Sequence, residues 1–511
     1  MIPWKRERAD IFVTVSTERE EGRAKSCLDA PAGRGWWGEK RSALAGRGDQ
    51  HLNAMRHHPI PQSLFSRHRS KLSEMLPSGS VALVSANDIL PTNADGTLVM
   101  VPNSDLFYLS GIEQEESLLL LAPDAADPSL REILFLRQPT PHLAIWEGHK
   151  LTEERAREIS GVKTVRWLTQ LEGTLRLLLS TADQVYLNLN EHGRATAEVE
   201  SRERRLVTFV RDRYPLHELR RLAPLLWKLR LEKGQMEVSL LKRAIQITED
   251  GYRRVMGFVQ PGVMEYEVEA EFSHEFVRQR AKFSYNPIIA SGANACVLHY
   301  NENDQVCRSG DLLLLDVGAS YANYNADLTR TLPVSGRFTK RQRAVYDAVL
   351  RVMRASIANA TVGRLHADWQ KLAREMMDEE LERLGLIGRS QASVRVGASK
   401  KRGASAKKGK AQKVAPNLPS DKPFRGGKYF MHGLGHVLGL DVHDVGAMTT
   451  PFAPGWVLTV EPGIYLPEEG FGVRLENDIL VTPDGPVDLT ASIPVEAEEV
   501  EALMARKRRR K

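Results

Sequence analysis

Between residues 60 and 225 the chain shows short apolar runs separated by polar and turn-forming segments. Runs that alternate or stay apolar over the length of a strand predict strands. The segments of this kind are SVALVSAND, DLFYLSG, ESLLLLAP and REILFLRQ. Stretches such as LTEERAREISG predict helices between or after them. The pattern favours a mixed α/β domain, which we place at residues 55–225.

The pattern changes at residues 226–236, where a long amphipathic helix opens. The apolar positions close to one face of it are Val238, Leu241, Ile245 and Tyr252. Pro261 and Gly262 end this helix. A second helix, predicted at about 265–280, has Val268, Phe272 and Phe276 at i, i+4 and i+8. Both stripes predict helices that pack into the core of a second domain, which we place at 226–500.

Four carboxylates in this second domain stand at or beside predicted strands: Asp316, Asp327, Glu461 and Glu476. Asp316 lies in the apolar run 312–317, a predicted buried strand, and Asp327 lies on the strand predicted to follow it. Glu461 follows another apolar run, and Glu476 alternates with apolar residues in GVRLENDILV, which predicts a further strand. A bare carboxylate in such a place is costly to desolvate, so each needs a partner. For any one of them alone, hydrogen bonds from the backbone or an arginine are the simpler interpretation.

One imidazole belongs with these carboxylates. His436 lies in FMHGLGHVLGLDVHD, residues 430–444, where Gly433, Gly435 and Gly439 argue against a free-standing helix and favour close backbone approach. Four carboxylates and one imidazole form a hard, oxygen-rich ligand set of the kind that suits Mn²⁺. Four negative charges are balanced by two divalent cations, and without metal they could not all stay ionised in a dry pocket.

Taken together and in order, these segments resemble the pita-bread metallopeptidases, and within them the Xaa-Pro aminopeptidases and prolidases. The matching stretches are SYNPIIASGANACVLHYNEN, DVGASYANYNADLTRT, HGLGHVLGLDVHD, VEPGIY and GVRLENDILV. The resemblance extends over roughly residues 230–490. It implies an α/β (α+β) fold with a curved antiparallel sheet backed by helices and a metal site in its concavity. PNSDLFYLSGIEQEESLLLLAP and IWEGHKLT resemble the amino-terminal domain of the same enzymes.

The resemblance implies a dinuclear site with two divalent ions, most simply Mn²⁺. Its ligands would be Asp316, Asp327, His436, Glu461 and Glu476, with Asp327 and Glu476 bridging the ions. The catalytic residues it implies are His299, His432, His443 and Glu461. Glu461 would act as the proton carrier, and the three histidines would bind the scissile carbonyl and orient the residue after the cleaved bond.

Two more residues gain a role only from the resemblance: Tyr285 in the substrate pocket, and Arg474 as a pocket residue that orients a ligand. The histidines have simpler explanations as well. His299 could be an ordinary core or surface side chain, His432 could contribute only packing, and His443 could terminate a turn.

The function that follows is removal of an N-terminal residue before proline, by a hydroxide shared between two ions. A prolidase-type Xaa-Pro dipeptidase is the close alternative, and a binding protein that has lost catalysis on the same fold is a further one. Peptides with proline at the second position are the expected substrates. The amino-terminal domain in this family packs over the active site of a neighbouring subunit, which implies a homo-oligomer, a dimer or a tetramer.

Composition agrees with this interpretation. A chain of 511 residues with 42% hydrophobic content exceeds a single typical domain. It contains only three cysteines, Cys27, Cys296 and Cys307, which is no disulfide framework. Neither a membrane-length apolar span nor a signal-peptide pattern is visible. We therefore expect no membrane partner and a cytoplasmic location.

The positive charge is unevenly distributed. Residues 395–425 hold ten Lys or Arg against one Asp, +9, whereas the whole chain carries +6, so the remainder is acidic. We predict a disordered insert at about 390–425 and a basic tail at 501–511. A solvated loop is the usual explanation of such a run, and contact with nucleic acid or another polyanion is the sharper hypothesis. Residues 1–54 show no sustained period and predict a disordered extension or a misassigned start.

Overall fold

The computed structural model describes residues 57–195, 198–389, 423–446 and 448–508. The predicted extension at 1–54 lies outside the described residues, as do the last three residues of the predicted tail. Of the predicted insert at about 390–425, the described part is residues 423–425. The helices are α1 (Gln62–Met75), α2 (Ser104–Ser110), α3 (Pro141–Trp146), α4 (Glu153–Ser160), α5 (Leu171–Leu178), α6 (Arg202–Arg213), α7 (Ala223–Leu231), α8 (Gln235–Met256), α9 (Glu265–Arg278), α10 (Lys340–Ala358), α11 (His366–Arg383) and α12 (Ala497–Arg508).

The first part of the chain forms one six-stranded mixed sheet in the order β4-β3-β2-β1-β5-β6. Its strands are β1 (Ser80–Ser85), β2 (Leu118–Leu121), β3 (Glu132–Leu136), β4 (Thr164–Trp167), β5 (Gln184–Leu187) and β6 (Glu218–Arg221). β1 pairs antiparallel with β2 and parallel with β5. Every residue of β1 is buried because alternate side chains enter different apolar clusters on its two faces. The mixed α/β domain predicted for this region therefore has a continuous strand core.

One of the predicted strands is a helix. DLFYLSG was expected to be extended, but it lies in α2. The Asn103 side chain accepts hydrogen bonds from the Asp105 and Leu106 amides, and Gly111 closes the helix in the left-handed conformation. A capping Asn and a closing Gly thus decide the structure of this short apolar run.

The second part of the chain contains only antiparallel strand pairs among the described residues. Its strands are β7 (Lys282–Phe283), β8 (Ile288–Ser291), β9 (Leu312–Asp316), β10 (Ala319–Tyr321), β11 (Tyr324–Asn325), β12 (Thr329–Pro333), β13 (Val457–Val460), β14 (Gly463–Leu466), β15 (Phe471–Arg474), β16 (Asn477–Thr482) and β17 (Gly485–Asp488). Helices α8 and α9 stand where the apolar stripes predicted them, and the side chains of Leu241, Tyr252, Phe272 and Phe276 are buried.

Two strand predictions need correction. GVRLENDILV is not one strand: it divides into β15 and β16, and Glu476 lies in the break between them. The break exists because the two halves pair with different partners, β14 and β13. Asp327 does not lie on a strand either, but just before β12. Asp327 and Glu476 therefore lie in short connecting segments at the ends of strands.

Candidate metal centre and active site

Strand register brings the carboxylates to one place. Asp316 ends β9 and pairs with Thr329 at the start of β12, two residues after Asp327. β13 pairs with β16 so that Val460 faces Asn477, which sets Glu461 beside Glu476. The Glu476 amide donates to the Thr329 carbonyl at 3.1 Å. This bond joins the two pairs of acidic residues across separate sheets.

The residue that enters this acidic group is His436. Ligand atoms of Asp327, His436 and Glu476 all lie within 4.8 Å of one another. The His436 Nε2 atom is 3.4 Å from an Asp327 carboxylate oxygen and 3.7 Å from a Glu461 oxygen. Backbone bonds with Thr459 hold the histidine in position: the Thr459 amide donates to the His436 carbonyl, and the Thr459 hydroxyl accepts from the His436 amide. These contacts form a group of donor atoms suited to a cation.

Tyr285 reaches two of the carboxylates at once. Its hydroxyl lies 2.5 Å from an Asp316 oxygen and 2.6 Å from an Asp327 oxygen. A phenol has a single proton and can donate to only one of them. Burial, followed by the charges of the neighbouring carboxylates, raises the pKa of Tyr285 well above its usual range. Negative charge is therefore concentrated around this hydroxyl.

Burial raises the pKa values of several acidic residues of this group. Burial, reinforced by the charges of Asp327 and Glu461, raises the pKa of Glu476 well above its ordinary value. Burial also raises the pKa of Asp316, against an opposing effect of Arg474. For Glu461 burial raises the pKa to about 7. Burial alone would lower the pKa of His436, but its hydrogen bond to Asp327 and the charge of Glu461 raise it. Cations in this position would relieve the repulsion that these shifts express.

Arg474 is buried behind the carboxylates. Its Nη2 donates to Asp316 at 2.6 Å, its Nη1 donates to the Tyr465 hydroxyl at 2.9 Å, and its Nε donates to the Thr329 hydroxyl at 3.2 Å. The Thr329 hydroxyl in turn donates to Glu476 at 2.7 Å. One guanidinium thus fixes Asp316 directly and Glu476 through a threonine, an arrangement suited to orienting metal ligands.

The three predicted histidines differ in their surroundings. The His432 Nε2 lies 2.8 Å from the Tyr465 hydroxyl, and its Nδ1 lies 2.8 Å from the Gly433 carbonyl. Because Tyr465 already accepts from an arginine, its proton is available to His432 Nε2. Burial, followed by the charges of Arg474 and His299, lowers the pKa of His432 to about 4. The imidazole of His432 is therefore neutral at physiological pH.

His443 packs edge-on against His436, with ring centroids 4.2 Å apart. On its other side the Arg194 Nη1 lies 3.0 Å from the His443 Nδ1. His299 is exposed and lies after the short helical turn Gly292–Cys296. His432 and His443 thus border the acidic group, His432 with its Nδ1 3.9 Å from a Glu461 oxygen and His443 through His436. The catalytic roles of all three histidines stay predictions.

Some side chains of this group were not identified from the sequence: Thr329, Tyr465 and Asp478. Thr329 contacts the predicted ligand Glu476, and Tyr465 contacts Arg474 and His432. These bonds join distant segments, so no local pattern reveals them. Asp478 is fully buried in β16 and accepts from the Asp327 amide at 3.2 Å. An acidic residue at an inward position of an apolar strand was the available signal for it.

Two protein-family models match this chain, one in its amino-terminal region and one in its second part. Residues 239–483 match the metallopeptidase family M24, and residues 65–186 match the aminopeptidase P N-terminal domain. The Xaa-Pro aminopeptidase of Escherichia coli is 35% identical over 88% of this chain and 99% of its own length. Xaa-Pro aminopeptidase 3 of Homo sapiens is 28% identical over 78% of this chain and 76% of its own.

Solved structures of aminopeptidase P are also similar to this chain. Escherichia coli aminopeptidase P with the inhibitor Pro-Leu superposes with a TM-score of 0.75 at 33% identity, covering 88% of this chain and 100% of that one. The zinc-substituted enzyme in complex with product gives a TM-score of 0.74 at 32% identity over 88% and 99%. No helix among the described segments is long and apolar enough to cross a lipid bilayer.

These matches confirm the resemblance, the fold class and the metallopeptidase activity predicted from the sequence motifs. Relatives of this identity and coverage share the pita-bread catalytic domain and the amino-terminal domain that precedes it. The chain belongs to the Xaa-Pro aminopeptidase family of M24 metallopeptidases.

Proposed function

We propose that this protein hydrolyses the bond between an N-terminal residue and a following proline in peptides. The observation that carries this proposal is the buried group of Asp327, His436 and Glu476, whose ligand atoms lie within 4.8 Å of one another in a chain of this family. Asp316 and Glu461 border the same group through Tyr285 and His436. All five predicted ligand positions carry acidic or imidazole side chains, which argues against a relative that has lost catalysis.

Two divalent ions, most simply Mn²⁺, fit this donor set. Asp316, Asp327, His436, Glu461 and Glu476 would hold them, because two divalent charges balance four buried carboxylates that repel one another. Oxygen-rich ligands with one imidazole suit Mn²⁺ better than metals that prefer thiolate. Replacing Asp327 with Ala should remove both metal binding and turnover if this residue bridges the ions. Replacing Asp347, an exposed-face ion-pair residue on α10, with Ala is the matched control.

When bound, such an ion pair supplies an activated water and a Lewis acid for the carbonyl oxygen. We assign Glu461 to accept the proton of the attacking water and to deliver it to the leaving proline nitrogen. His432 is neutral, and a hydroxyl bond from Tyr465 to its Nε2 fixes its orientation. We assign His299, His432 and His443 to bind the scissile carbonyl and to orient the residue after the cleaved bond.

Proline at the second position poses a separate problem. The peptide bond before proline has no N–H to donate, and the ring fixes φ, so recognition must come from shape and from the neighbouring groups. We place an apolar slot for the ring near His432 and His443. The buried ring of Phe430 packs edge-on against His432 at 4.9 Å, which makes the surroundings of this histidine apolar.

A peptide panel distinguishes this proposal from its alternatives. Metal is first removed with a chelator, Mn²⁺ is added back, and bound metal is counted by elemental analysis. The protein is then incubated with Ala-Pro-Ala, with Ala-Pro and with Ala-Ala-Ala as the control. Cleavage of Ala-Pro-Ala supports the proposal. Cleavage of Ala-Pro alone would make the protein a prolidase-type dipeptidase, and no cleavage at full metal content would make it a binding protein.

We also propose that the protein forms a homo-oligomer, a dimer or a tetramer. Helix α3 has no buried residue, and its Ile145 and Trp146 are 80% and 75% exposed. Neighbouring exposed apolar side chains of this size indicate a contact surface. Replacing Trp146 with Ser should lower the molecular mass measured by sedimentation equilibrium. Replacing the exposed Leu177 of α5 is the control.

A polyanion contact is a second partner that we propose from charge alone. Residues 395–425 carry ten Lys or Arg against one Asp, in a chain whose remainder is acidic. A chain lacking residues 395–420 should elute from a DNA column at lower salt than the full chain, because fewer phosphate contacts reduce the salt dependence. Equal elution would exclude this contact. The small number of cysteines supports our proposal of a cytoplasmic location.

A further inference from the structure

A buried group of charges lies beneath the segment 430–444, which we call the histidine loop. None of these charges belongs to the proposed metal ligands. Arg230 and Lys233 come from the end of α7 and the residues after it, and Asp105 comes from α2 of the amino-terminal region. Asp441 and Asp444 come from the histidine loop itself. We call these five residues the ionic cluster.

Arg230 occupies the centre of the ionic cluster. Its side chain is 2% exposed and contacts three carboxylates. The Nη1 atom donates to Asp105 at 2.7 Å, and the Nη2 atom donates to Asp441 at 2.7 Å and to Asp444 at 2.5 Å. A planar guanidinium with fixed donors transmits position from one carboxylate to another. Arg230 therefore links a helix of the amino-terminal region to the histidine loop.

The buried positive and negative charges of the ionic cluster balance each other. The Lys233 ammonium donates to Asp444 at 3.0 Å, and both side chains are 1% exposed. Asp105 is 15% exposed and Asp441 is 44% exposed. Two buried cations thus face two mostly buried carboxylates, with Asp441 reaching solvent. Removing one buried partner leaves an uncompensated charge, so these residues hold one another in place.

The histidine loop is folded tightly over this cluster. The Asp444 amide donates to the Val437 carbonyl at 2.9 Å, which closes the loop between His436 and His443. A Cβ atom at Gly439 would lie 2.1 Å from an Asp444 oxygen, so only glycine permits the approach. The Asn325 amide donates to the Gly439 carbonyl at 3.0 Å and supports the loop from the side. The position of His443 therefore depends on Asp444.

The amino-terminal region has a second contact with the loop. The Ser104 hydroxyl donates to Asp441 at 2.7 Å, and the Asn188 side-chain amide donates to Asp105 at 2.8 Å. Asp105 is thereby held on both sides, by Asn188 and by Arg230. His436, in contrast, is held by its backbone bonds with Thr459. His436 thus has bonds to Thr459 that lie outside the ionic cluster, whereas His443 stands next to Asp444 within the loop.

We infer that Asp105, acting through Arg230 and Asp444, is a positioning residue that sets the place of His443 in the substrate pocket. The inference rests on the proposed function, because His443 is taken to orient the substrate. It makes the amino-terminal region part of the catalytic geometry of the same chain. A displacement of about 1 Å at a group that orients substrate can lower turnover by roughly a hundredfold.

Asp105→Asn tests this inference because it removes one charge while keeping the shape of the side chain. We expect kcat for Ala-Pro-Ala to fall by about 10- to 100-fold. Bound Mn²⁺ should stay at the wild-type level, because the bonds between His436 and Thr459 lie outside the ionic cluster. Asp105→Glu should recover most of the activity. Asp88→Asn, which removes a carboxylate paired with Arg202 and Arg205 in the same region, should leave kcat unchanged.

A double-mutant cycle separates positioning from a general loss of folding. If Asp105 acts through His443, Asp105→Asn should change kcat by less than about threefold in the His443→Ala background. Equal losses in both backgrounds would overturn the inference, as would unchanged kcat in Asp105→Asn alone or a parallel loss of bound Mn²⁺.

The coupling between Asp105 and the histidine loop can also be measured without substrate. The inference can therefore be tested even if the proposed function is wrong. Amide hydrogen exchange in residues 437–444 should be faster in Asp105→Asn than in the wild type and in Asp88→Asn, because the closing bond at Asp444 opens more often. If wild-type protein cleaves no proline peptide and this exchange difference is present, only the proposed function has failed. Unchanged exchange would overturn the coupling itself.

Discussion

At the scale of single residues, burial raises the pKa of three carboxylates of the site, Asp316, Glu461 and Glu476, and so disfavours their ionisation. Burial raises the pKa of Glu461 to about 7, and burial with the surrounding charges raises the pKa of Glu476 well above its ordinary value. Arg474 offsets part of this repulsion at Asp316. One arginine cannot neutralise four carboxylates, so the residues themselves favour the binding of cations.

The stability of the metal-free protein should depend on the ionisation of Glu461. Its pKa rises from 4.5 to about 7 on folding, so the folded state binds the proton more tightly than the unfolded state. This contribution to stability is complete below pH 4.5 and is lost as the pH rises through 7. In the presence of a chelator, Glu461→Gln should therefore gain stability relative to the wild type as the pH rises. The gain should reach about 3 kcal/mol.

Urea unfolding at pH 5 and pH 8 measures this difference, and comparing wild type with Glu461→Gln cancels the contributions of titratable groups that lie far from Glu461. With Mn²⁺ present the order should reverse, because Gln lacks the carboxylate that binds the ion. A constant difference between the two proteins at both pH values would contradict the proposed burial of this carboxylate.

Arg474→Lys should lower activity by about 10- to 100-fold, because an ammonium cannot reproduce the three separate donations of the guanidinium. Asp316 and Thr329 would lose their common partner, and Glu476 would lose its orientation through Thr329. Peptidase assays with Mn²⁺ titration measure the effect as reduced turnover together with weaker metal binding. Arg341→Lys, on a surface ion pair with Glu469, is the control and should behave like wild type.

The sequence allows the prediction of residues whose chemistry conflicts with their surroundings. Asp316 and Glu461 stand out because each is acidic beside an apolar strand. Tyr465 and Thr329 do not stand out, since a tyrosine or a threonine in a strand is ordinary. Their importance depends on contacts between strands that are distant along the chain, and these contacts are visible only in the folded structure.

At the scale of secondary-structure elements, the residues at the two ends of a short apolar run decide whether it forms a helix or a strand. The long stripes of α8 and α9 have one interpretation, because a helical period repeats over several turns. DLFYLSG is too short to show a period, and Asn103 and Gly111 at its ends make it a helix. The break at Glu476 depends on two different strand partners, which no single segment encodes.

Close backbone approach in the histidine loop can be tested at Gly435. A Cβ atom there would lie 2.0 Å from the Thr459 carbonyl oxygen, which belongs to the backbone and cannot move aside. Gly435→Ala should destabilise the protein by about 1–3 kcal/mol and weaken metal binding, because His436 is the next residue.

Gly433→Ala is the matched control within the same loop. The nearest atom to a Cβ there is a Gln370 side-chain oxygen at 3.7 Å, an ordinary contact distance. Unfolding and metal titration of the two variants should therefore differ clearly. Similar destabilisation by both substitutions would show that the contact with Thr459 does not set the need for glycine at Gly435.

At the scale of the whole molecule, the two regions of the described chain share one apolar core. Side chains of α1 and α2, such as Leu64 and Phe107, belong to the same buried cluster as Phe272 on α9. The ionic cluster around Arg230 joins the same regions through charge. The proposed metal ligands, in turn, lie on or beside strands of separate sheets: Asp316 ends β9, Asp327 precedes β12, and Glu461 follows β13. Binding of metal should therefore stabilise the molecule as a unit.

Removal of metal should lower the melting temperature of the whole protein. At 100-fold excess over its dissociation constant each bound ion stabilises by about 2.7 kcal/mol, so two ions should raise Tm by about 5 °C or more. The increase should be larger at pH 8 than at pH 5, because protons compete with the ions for Glu461, whose pKa is about 7 without metal. Calorimetry of chelator-treated protein with and without Mn²⁺ measures both effects. Asp327→Ala should show no increase at either pH, and an equal increase in that variant would place the stabilising ions elsewhere in the molecule.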